Sequence, residues 1–528
     1  MGLNRDPVFY TAGYSGKDPS RAPFYLRSLV FDGLEGDLNA RLISEFNNRI
    51  RKSEAFRECR LSPADRPGKA GKVFPSRIVV VNASHDNLPT SYETARVFRD
   101  RLAEKGLGVT VKVVNTKEEL RKETAADTEK VLVISQCVDK RVYNIQTAHR
   151  LEAGGVVTVP GAVTAPGGVF SDKDSTYRLL SREGRNWETV ARYRKVPVEG
   201  RSVEDVVGGI LDSAGELRRE LEEDTVFVKP HEGGGGLGGF RLTMTDGGYV
   251  IPDLSKVSGD NSSIHPTFID IDHSSRAKLR ELLWIYRLFS TDPVMSKNYL
   301  RIKLPLFDAG EEKAIEALRN YLRHSRRKRK NRMLAMAMSR KEAEEKLIGA
   351  IKAFEKKFER RYVPLVNEHL DFGLWGLRAH YRLSSSGPVL EAMYHRIFQL
   401  GFFEEGPGYL GSDNISNKQT GELEILRLGP INEIMLESIG GRKGLFSALE
   451  KGAEALADLA ELVPRKEKGK IPLRLQLDLA AVSRKIGEGN ADTARGICLA
   501  SRWEVFEENA RQWLDDSLAY YAWKKRSS

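Results

Sequence analysis

Between Ser76 and about residue 160, apolar runs alternate with helical patterns, and this alternation constrains the fold more than any other feature. RIVVVN is a continuous apolar strand, Tyr92 to Lys105 a helix stopped by Gly106, VTVKVV a strand and VLVIS (131–135) another. Arg141 to Ala153 reads as a helix ending at Gly154 and Gly155, with VVTV after it. Strands without a polar face must be covered on both sides, and helices between them make the connections right-handed crossovers. The expected product is a small, open, mainly parallel α/β domain. It has no GxGxxG turn, so a dinucleotide site has no support there.

A second constraint is FVKPHEGGGGLGGFRLTM, Phe227 to Met244. Thr225 to Val228 is β-branched and aromatic, and it delivers Lys229 to the end of a strand where Pro230 is expected to stop ladder pairing. His231 leads into Gly233, Gly234, Gly235, Gly236, Gly238 and Gly239, which remove nearly every Cβ from a loop. Its backbone N–H groups could then approach and wrap a polyanion. Phe240 to Met244 returns as a second strand. A flexible hairpin tip is the alternative, and a Walker A loop is excluded because no Gly-Lys-Ser/Thr follows the glycines.

The chain has 528 residues, enough for three or four units, with 84 Lys+Arg against 73 Asp+Glu and a formal charge of +11. Such an excess suits anionic partners. No run approaches the ~18 apolar residues that span a bilayer, and MGLNRDPVFY shows no apolar signal region. Cys59, Cys137 and Cys498 are far apart and form no CxxC pair, which argues against a disulfide framework or structural zinc and favours the cytoplasm.

Elsewhere the pattern is less regular. Residues 1–75 read as an N-terminal extension with a helix near Leu38 to Glu54 and a Pro/Gly/Lys-rich linker from Ser62 to Lys72. Ser171 or Asp172 can cap a helix carrying Lys173, Tyr177 and Leu180, and a second helix runs from Val203 to Leu221. Residues 256–360 are helical and charged, with a basic cluster of Arg323, Arg326, Arg327, Lys328, Arg329, Lys330 and Arg332. The cluster could grip nucleic-acid phosphates or an acidic partner, or be a solvated helix face. YVPLVNEHLDF, GLRAHYRLSS and VLEAMYHRIF alternate as antiparallel strands do, with a turn at Ser384 to Pro388. A helix from Leu445 to Leu462 and a strand LRLQLDLAAVS (473–483) follow. The terminal helix places Trp503, Phe506, Ala510 and Trp513 on one stripe, as core.

The order of these parts resembles an ATP-grasp enzyme, over about 130–255 and 361–490. The fold expected from the resemblance combines α/β and α+β units. A small open parallel-sheet domain (76–160) precedes an ATP-grasp first part with the glycine flap (161–255). A basic helical insertion (256–360), the ATP-grasp second part (361–500) and a C-terminal helix (501–528) follow. Residue by residue, Lys173 and Lys229 look like the two nucleotide-binding lysines. His231 to Gly239 looks like the flap over the triphosphate, and Glu368 like the acid that holds the ribose. Arg378 and Arg396 resemble the arginines facing the γ-phosphate and the acyl phosphate, and Asn414 and Asn417 lie in a loop like the family's Asn-Ile-Ser segment. Asp478, Glu488 and Asn490 match the ligands of magnesium, with manganese as the alternative ion and Glu424 or Glu433 as alternative ligands. The long interval between Lys229 and Glu368 departs from the family, as does the weakly apolar Glu-x-Asn strand.

The resemblance implies ATP-dependent activation of a small-molecule carboxylate as an acyl phosphate, attack by an amine or similar nucleophile, and release of ADP and phosphate. Phosphotransfer to a small molecule, or a nucleotide-regulated protein that binds RNA or an acidic partner, are the competing functions. Neither the substrates nor the oligomeric state can be read from these residues.

Overall fold

The computed structural model describes residues 8–11, 27–30, 34–56, 73–81, 89–125, 128–135, 142–159, 173–181, 187–231, 238–252, 254–258, 267–291, 300–304, 310–370, 373–384, 387–397, 400–409, 428–461, 474–480, 482–491 and 503–527. Two short strands, β1 (Val8–Thr11) and β2 (Arg27–Val30), pair antiparallel, and α1 (Leu34–Lys52) covers the expected N-terminal helix. Strands β3 (Arg77–Val81), β4 (Thr110–Val114), β5 (Val131–Ser135) and β6 (Val157–Val159) then form a wholly parallel sheet in the order β4-β3-β5-β6. Helices α2 (Pro89–Glu104), α3 (Lys117–Ala125) and α4 (Ile145–Ala153) make the crossovers. Burial on both faces is complete in the middle of the sheet, where Ile78 to Val81 and Leu132 to Ile134 are each 0% exposed. Helix α4 starts at Ile145 instead of Arg141, because the Asn144 side chain accepts from the Thr147 N–H at 2.9 Å and caps it there.

The lysine strand belongs to an antiparallel sheet. Helices α5 (Lys173–Leu180) and α6 (Val203–Leu221) accompany β7 (Tyr193–Lys195), β8 (Thr225–Pro230), β9 (Phe240–Thr245) and β10 (Gly248–Val250). With β12 (Pro364–Glu368) the strand order is β10-β9-β8-β12-β7. Pairing does not stop at Lys229. Pro230 lies opposite Pro364 within the ladder, and the His231 N–H donates to Val363 O at 2.9 Å. A proline costs the ladder only its own N–H, so the strand tolerates it at its last position.

Apolar residues between β10 and β12 divide between two cores. The segment comprises α7 (Ser255–Ser258), β11 (Thr267–Phe268), α8 (Arg276–Thr291), α9 (Glu311–Met336) and α10 (Arg340–Phe358). Ala343, Leu347, Ile351 and Phe354 of α10 share a core with α6, Val226, Val228 and Val366. Leu279, Leu282 and Phe289 of α8 and Ala314 and Leu318 of α9 belong to the other, larger core. Helical periodicity was legible here, but which sheet each apolar stripe would meet was not.

The second antiparallel sheet contains β13 (Trp375–Ser384), β14 (Gly387–Ile397), β17 (Leu428–Gly429), β18 (Arg474–Ala480) and β19 (Lys485–Ala491), in the order β17-β14-β13-β18-β19. Of the three segments expected as neighbouring strands, β12 therefore lies in the lysine sheet and only β13 and β14 pair with each other. Strands β15 (Leu400–Phe403) and β16 (Gly406–Tyr409) form a small sheet with β11, and α11 (Glu433–Ser438) leads into α12 (Gly441–Glu461). One face of the second sheet carries Leu377, Ala379, Tyr381, Leu475, Leu477 and Leu479, which share a core with Leu449 and Leu456 of α12.

Helix α13 (Trp503–Ser527) ties the parallel domain to this second sheet. Trp513 meets Phe98 edge-on at 6.5 Å, Asp515 accepts from Arg101 at 2.8 Å, and Asp516 accepts from Arg382 at 3.2 Å. Ala510 and Trp513 are buried as expected, while the side chains of Trp503 and Phe506 lie outside the described residues. No helix among the described residues is long and apolar enough to cross a membrane. A parallel sheet is thus followed by two antiparallel sheets, one bearing the lysine strand and the other the arginine and aspartate strands.

Candidate active site

Cross-strand partners in an antiparallel sheet project to the same face, so register sorts the candidate residues. In the lysine sheet, Lys229 lies opposite Leu365, which lies opposite Lys195, and Phe227 opposite Asn367 and Arg241. Lys229, Phe227, Asn367, Arg241, Tyr193 and Lys195 therefore share one face. The other face, with Val226, Val228, Phe240 and Leu242, is buried on α6 and α10. Asn367 donates to Phe227 O at 3.3 Å and Leu365 O at 2.9 Å, while its buried Oδ1 has no hydrogen-bond partner among the described residues. That leaves an acceptor on the same face as Lys229.

The second sheet sorts in the same way. Tyr394, Arg378, Asp478 and Glu488 form one row across β14, β13, β18 and β19, and Gln476 and Asn490 are partners two residues further along. Arg396 lies opposite Gly376, two residues from Arg378, and so belongs to the same face. Arg378, Arg396, Asp478, Glu488 and Asn490 are thus brought to one face by backbone register, although the side chains of Arg396, Glu488 and Asn490 lie outside the described residues. Arg378 donates to both oxygens of Asp478, at 2.6 and 2.7 Å. Burial opposes its charge, yet Asp478 and Tyr394 hold the guanidinium well above its ordinary pKa. Among the described residues no group of three or more His, Cys, Asp or Glu side chains is assembled to hold a metal.

The two sheets meet at the start of β19. Register steps from Asp478 opposite Glu488 to Leu479 opposite Ile486, so Gly487 falls outside the ladder. The carbonyl of Gly487 accepts from the Tyr177 hydroxyl at 2.7 Å, and the Tyr177 oxygen accepts in turn from Lys229 Nζ. Lys485 donates to both oxygens of Glu368 at 2.6 and 2.7 Å, and Glu368 also accepts from the Arg192 N–H at 2.9 Å. The acid expected at the ribose is therefore also a strut between the sheets. Lys173 lies close to Lys229: its N–H donates to His231 O at 2.8 Å and its Nζ to Pro230 O at 3.4 Å. Asp174 accepts from Lys195 and from the Tyr193 hydroxyl, each at 2.7 Å.

Tyr177 could have been found from spacing, since it follows Lys173 by one helical turn. Lys485, Asn367 and the Arg241–His369 contact at 2.7 Å carried no local signal. Burial, and then Arg241, push the His369 imidazole down to about 3, which keeps it neutral as an acceptor. Gly233 to Gly236, Asn414, Asn417 and Glu424 lie outside the described residues, whereas Glu433 starts α11. The return end of the glycine loop is described. Gly238 has φ +76°, and a Cβ there would come within 2.9 Å of the Phe354 ring, so two constraints require glycine.

The basic cluster divides between two environments. Arg329 is buried and donates to Asp270 at 2.7 Å, Lys328 pairs with Glu404 at 2.8 Å and Arg332 with Glu405 at 2.5 Å, while Arg327 and Lys330 are exposed. Part of the run therefore fastens α9 to the turn between β15 and β16 and to the segment after β11.

No protein-family model matches the chain, and no curated protein matches it. Among solved structures it is similar to a D-alanine–D-alanine ligase from Bacillus anthracis, at 11% identity over 86% of this chain and 100% of that one, with a TM-score of 0.40. It is similar to D-alanyl-alanine synthetase A from Vibrio cholerae at 10% identity over 85% and 98% of the two chains, TM-score 0.37. A D-cycloserine synthetase is similar at 11% identity over 83% and 99%, also with a TM-score of 0.37.

Proposed function

We propose that the chain is an ATP-dependent ligase that joins a small-molecule carboxylate to an amine and releases ADP and phosphate. The contact of Tyr177 with both Lys229 and Gly487 supports this most directly, because it sets a phosphate-class cation beside the strand of Glu488 and Asn490. The residues fit the groups. Lys173 and Lys229 supply charge for phosphates, and the Oδ1 of buried Asn367, which has no partner among the described residues, is an acceptor for an amino-bearing base such as adenine. Asp478, Glu488 and Asn490 offer hard oxygen donors and would hold magnesium, with manganese as the alternative. When bound, such an ion supplies positive charge to oxygens that become more negative during phosphoryl transfer.

Arg396, and Arg378 once it turns from Asp478, would offer planar paired donors to the transferring phosphoryl group. The substrate carboxylate is converted to an acyl phosphate, and the amine displaces phosphate from it to leave an amide. No Ser, Cys or His nucleophile is needed, since positioning and charge neutralisation lower the barrier.

The test is ADP release from Mg·ATP in the presence of pooled carboxylates and amines. Release that requires both pools and yields free phosphate supports the ligase. ADP release with a phosphorylated acceptor and no free phosphate assigns a phosphotransferase instead, and absence of Mg·ATP binding overturns both.

A further inference from the structure

The Tyr177 hydroxyl serves two partners at once. Its O–H donates to Gly487 O at 2.7 Å, and its oxygen accepts from Lys229 Nζ, which also lies 4.9 Å from the ring centroid. The side chain is 1% exposed, and its ring packs against Tyr193 with centroids 5.1 Å apart. A phenol has a single proton to give, so donation to Gly487 leaves it only acceptor capacity toward Lys229. That orientation matches a charged ammonium, the form a phosphate requires. Helix α5 is itself fixed to the end of β8, where the Lys173 N–H donates to His231 O at 2.8 Å.

Resting on the nucleotide assignment above, we propose that Tyr177 is a positioning residue that holds the Lys229 ammonium for a nucleotide phosphate and couples it to the β19 strand that carries Glu488. A lysine side chain loses rotamer entropy when it engages a ligand. Holding it beforehand removes part of that cost from binding. Gly487 is the residue that the bulge frees from the β18–β19 ladder, and it immediately precedes Glu488. One hydroxyl therefore ties the phosphate lysine of one sheet to the candidate metal strand of the other.

A double-mutant cycle on the full chain tests this, with Mg·AMP-PNP as probe and its dissociation constant measured by calorimetry. Tyr177→Phe keeps the ring and removes the hydroxyl, and binding is expected to weaken roughly tenfold. Lys229→Ala weakens it at least as much, and adding Tyr177→Phe to Lys229→Ala changes it by less than about threefold. Equal weakening by Tyr177→Phe in both backgrounds, or none in either, overturns the proposal. If Lys229→Ala binds as wild type, the nucleotide role of Lys229 fails instead. Lys229→Arg leaves Tyr177 untouched, so it carries the test should Tyr177→Phe not fold. It preserves charge but not the placement of an ammonium on the phenol, and it is expected to bind as weakly as Tyr177→Phe. Wild-type affinity in Lys229→Arg overturns the positioning role.

Discussion

Arg378 and Asp478 form a paired charge on the candidate active face, and removing either partner should be costly. Their side chains are 20% and 10% exposed, and both Asp478 oxygens accept from the guanidinium. Replacing Arg378 by Met keeps most of the volume but leaves the carboxylate without its counter-ion. Breaking a buried pair from one side costs about 3–5 kcal/mol, because the remaining charge stays desolvated. In a cooperative unit of 150–250 residues that corresponds to a fall in Tm of roughly 6–20 °C. Asp478→Leu should cost a similar amount. The double variant Arg378→Met/Asp478→Leu should lose far less than the sum, since two apolar side chains replace a desolvated pair. Thermal melts followed by circular dichroism, in EDTA and in magnesium, provide the assay. Arg378→Met should recover more of its loss in magnesium than wild type gains, because its Asp478 is released for metal binding. Additive losses in the double variant, or single variants melting with wild type, would falsify the idea that the pair is energetically coupled.

Three further outcomes are expected. Mg·ATP at a hundredfold excess over its dissociation constant should stabilise wild type by about 2.7 kcal/mol, with the shift lost in Lys229→Ala; an unchanged shift in the variant removes Lys229 from the site. Burial pushes His395 down to about 4, against the opposing hydrogen bond to Pro430 O at 2.9 Å. A depressed folded pKa means that stability is present above about 6.5 and lost as pH falls toward 4, amounting to about 3 kcal/mol, so His395→Gln should flatten this part of the stability profile. Asn47 of α1 donates to Leu390 O at 2.9 Å and accepts from the Leu390 N–H at 2.8 Å, which caps the edge of β14. Asn47→Ala should cost about 1–3 kcal/mol and favour self-association visible by light scattering; a monodisperse variant with unchanged Tm would show that the edge needs no cap.

The parallel sheet was legible because β3 and β5 are apolar on both faces, and helix α6 spans Val203–Leu221 as its helical pattern implied. The strand that delivers Lys229 was legible from its β-branched and aromatic run. What could not be read was partnership across distance. Glu368 accepts from Lys485, separated from it by 117 positions, and no local pattern announces that contact. Likewise β12 resembles β13 and β14 in its alternation, yet its partners are β8 and β7. Alternation specifies a half-buried strand and leaves open which sheet it joins. The helices of 256–360 have the same limitation: a stripe such as Leu347, Ile351 and Phe354 fixes a buried face without naming the surface that buries it.

On the faces that carry the candidate residues, charges already have counter-ions within the protein. Lys195 pairs with Asp174 at 2.7 Å, Lys485 with Glu368 at 2.6 Å and Arg378 with Asp478 at 2.6 Å. Charges as desolvated as those of Lys485, Glu368, Arg378 and Asp478 demand such partners whether or not a ligand is present. On the proposed function, phosphate binding is therefore an exchange of partners and not a simple gain of contacts. Arg378 can turn to a phosphoryl oxygen at low cost only when Asp478 has another cation to face. Because coupling between two ligands is reciprocal, nucleotide and divalent cation must strengthen each other's binding through this pair. The positions that sequence resemblance assigns separately, an arginine for phosphate and an aspartate for metal, form one ion pair, so on the proposed function each would set the electrostatic cost of the other's ligand.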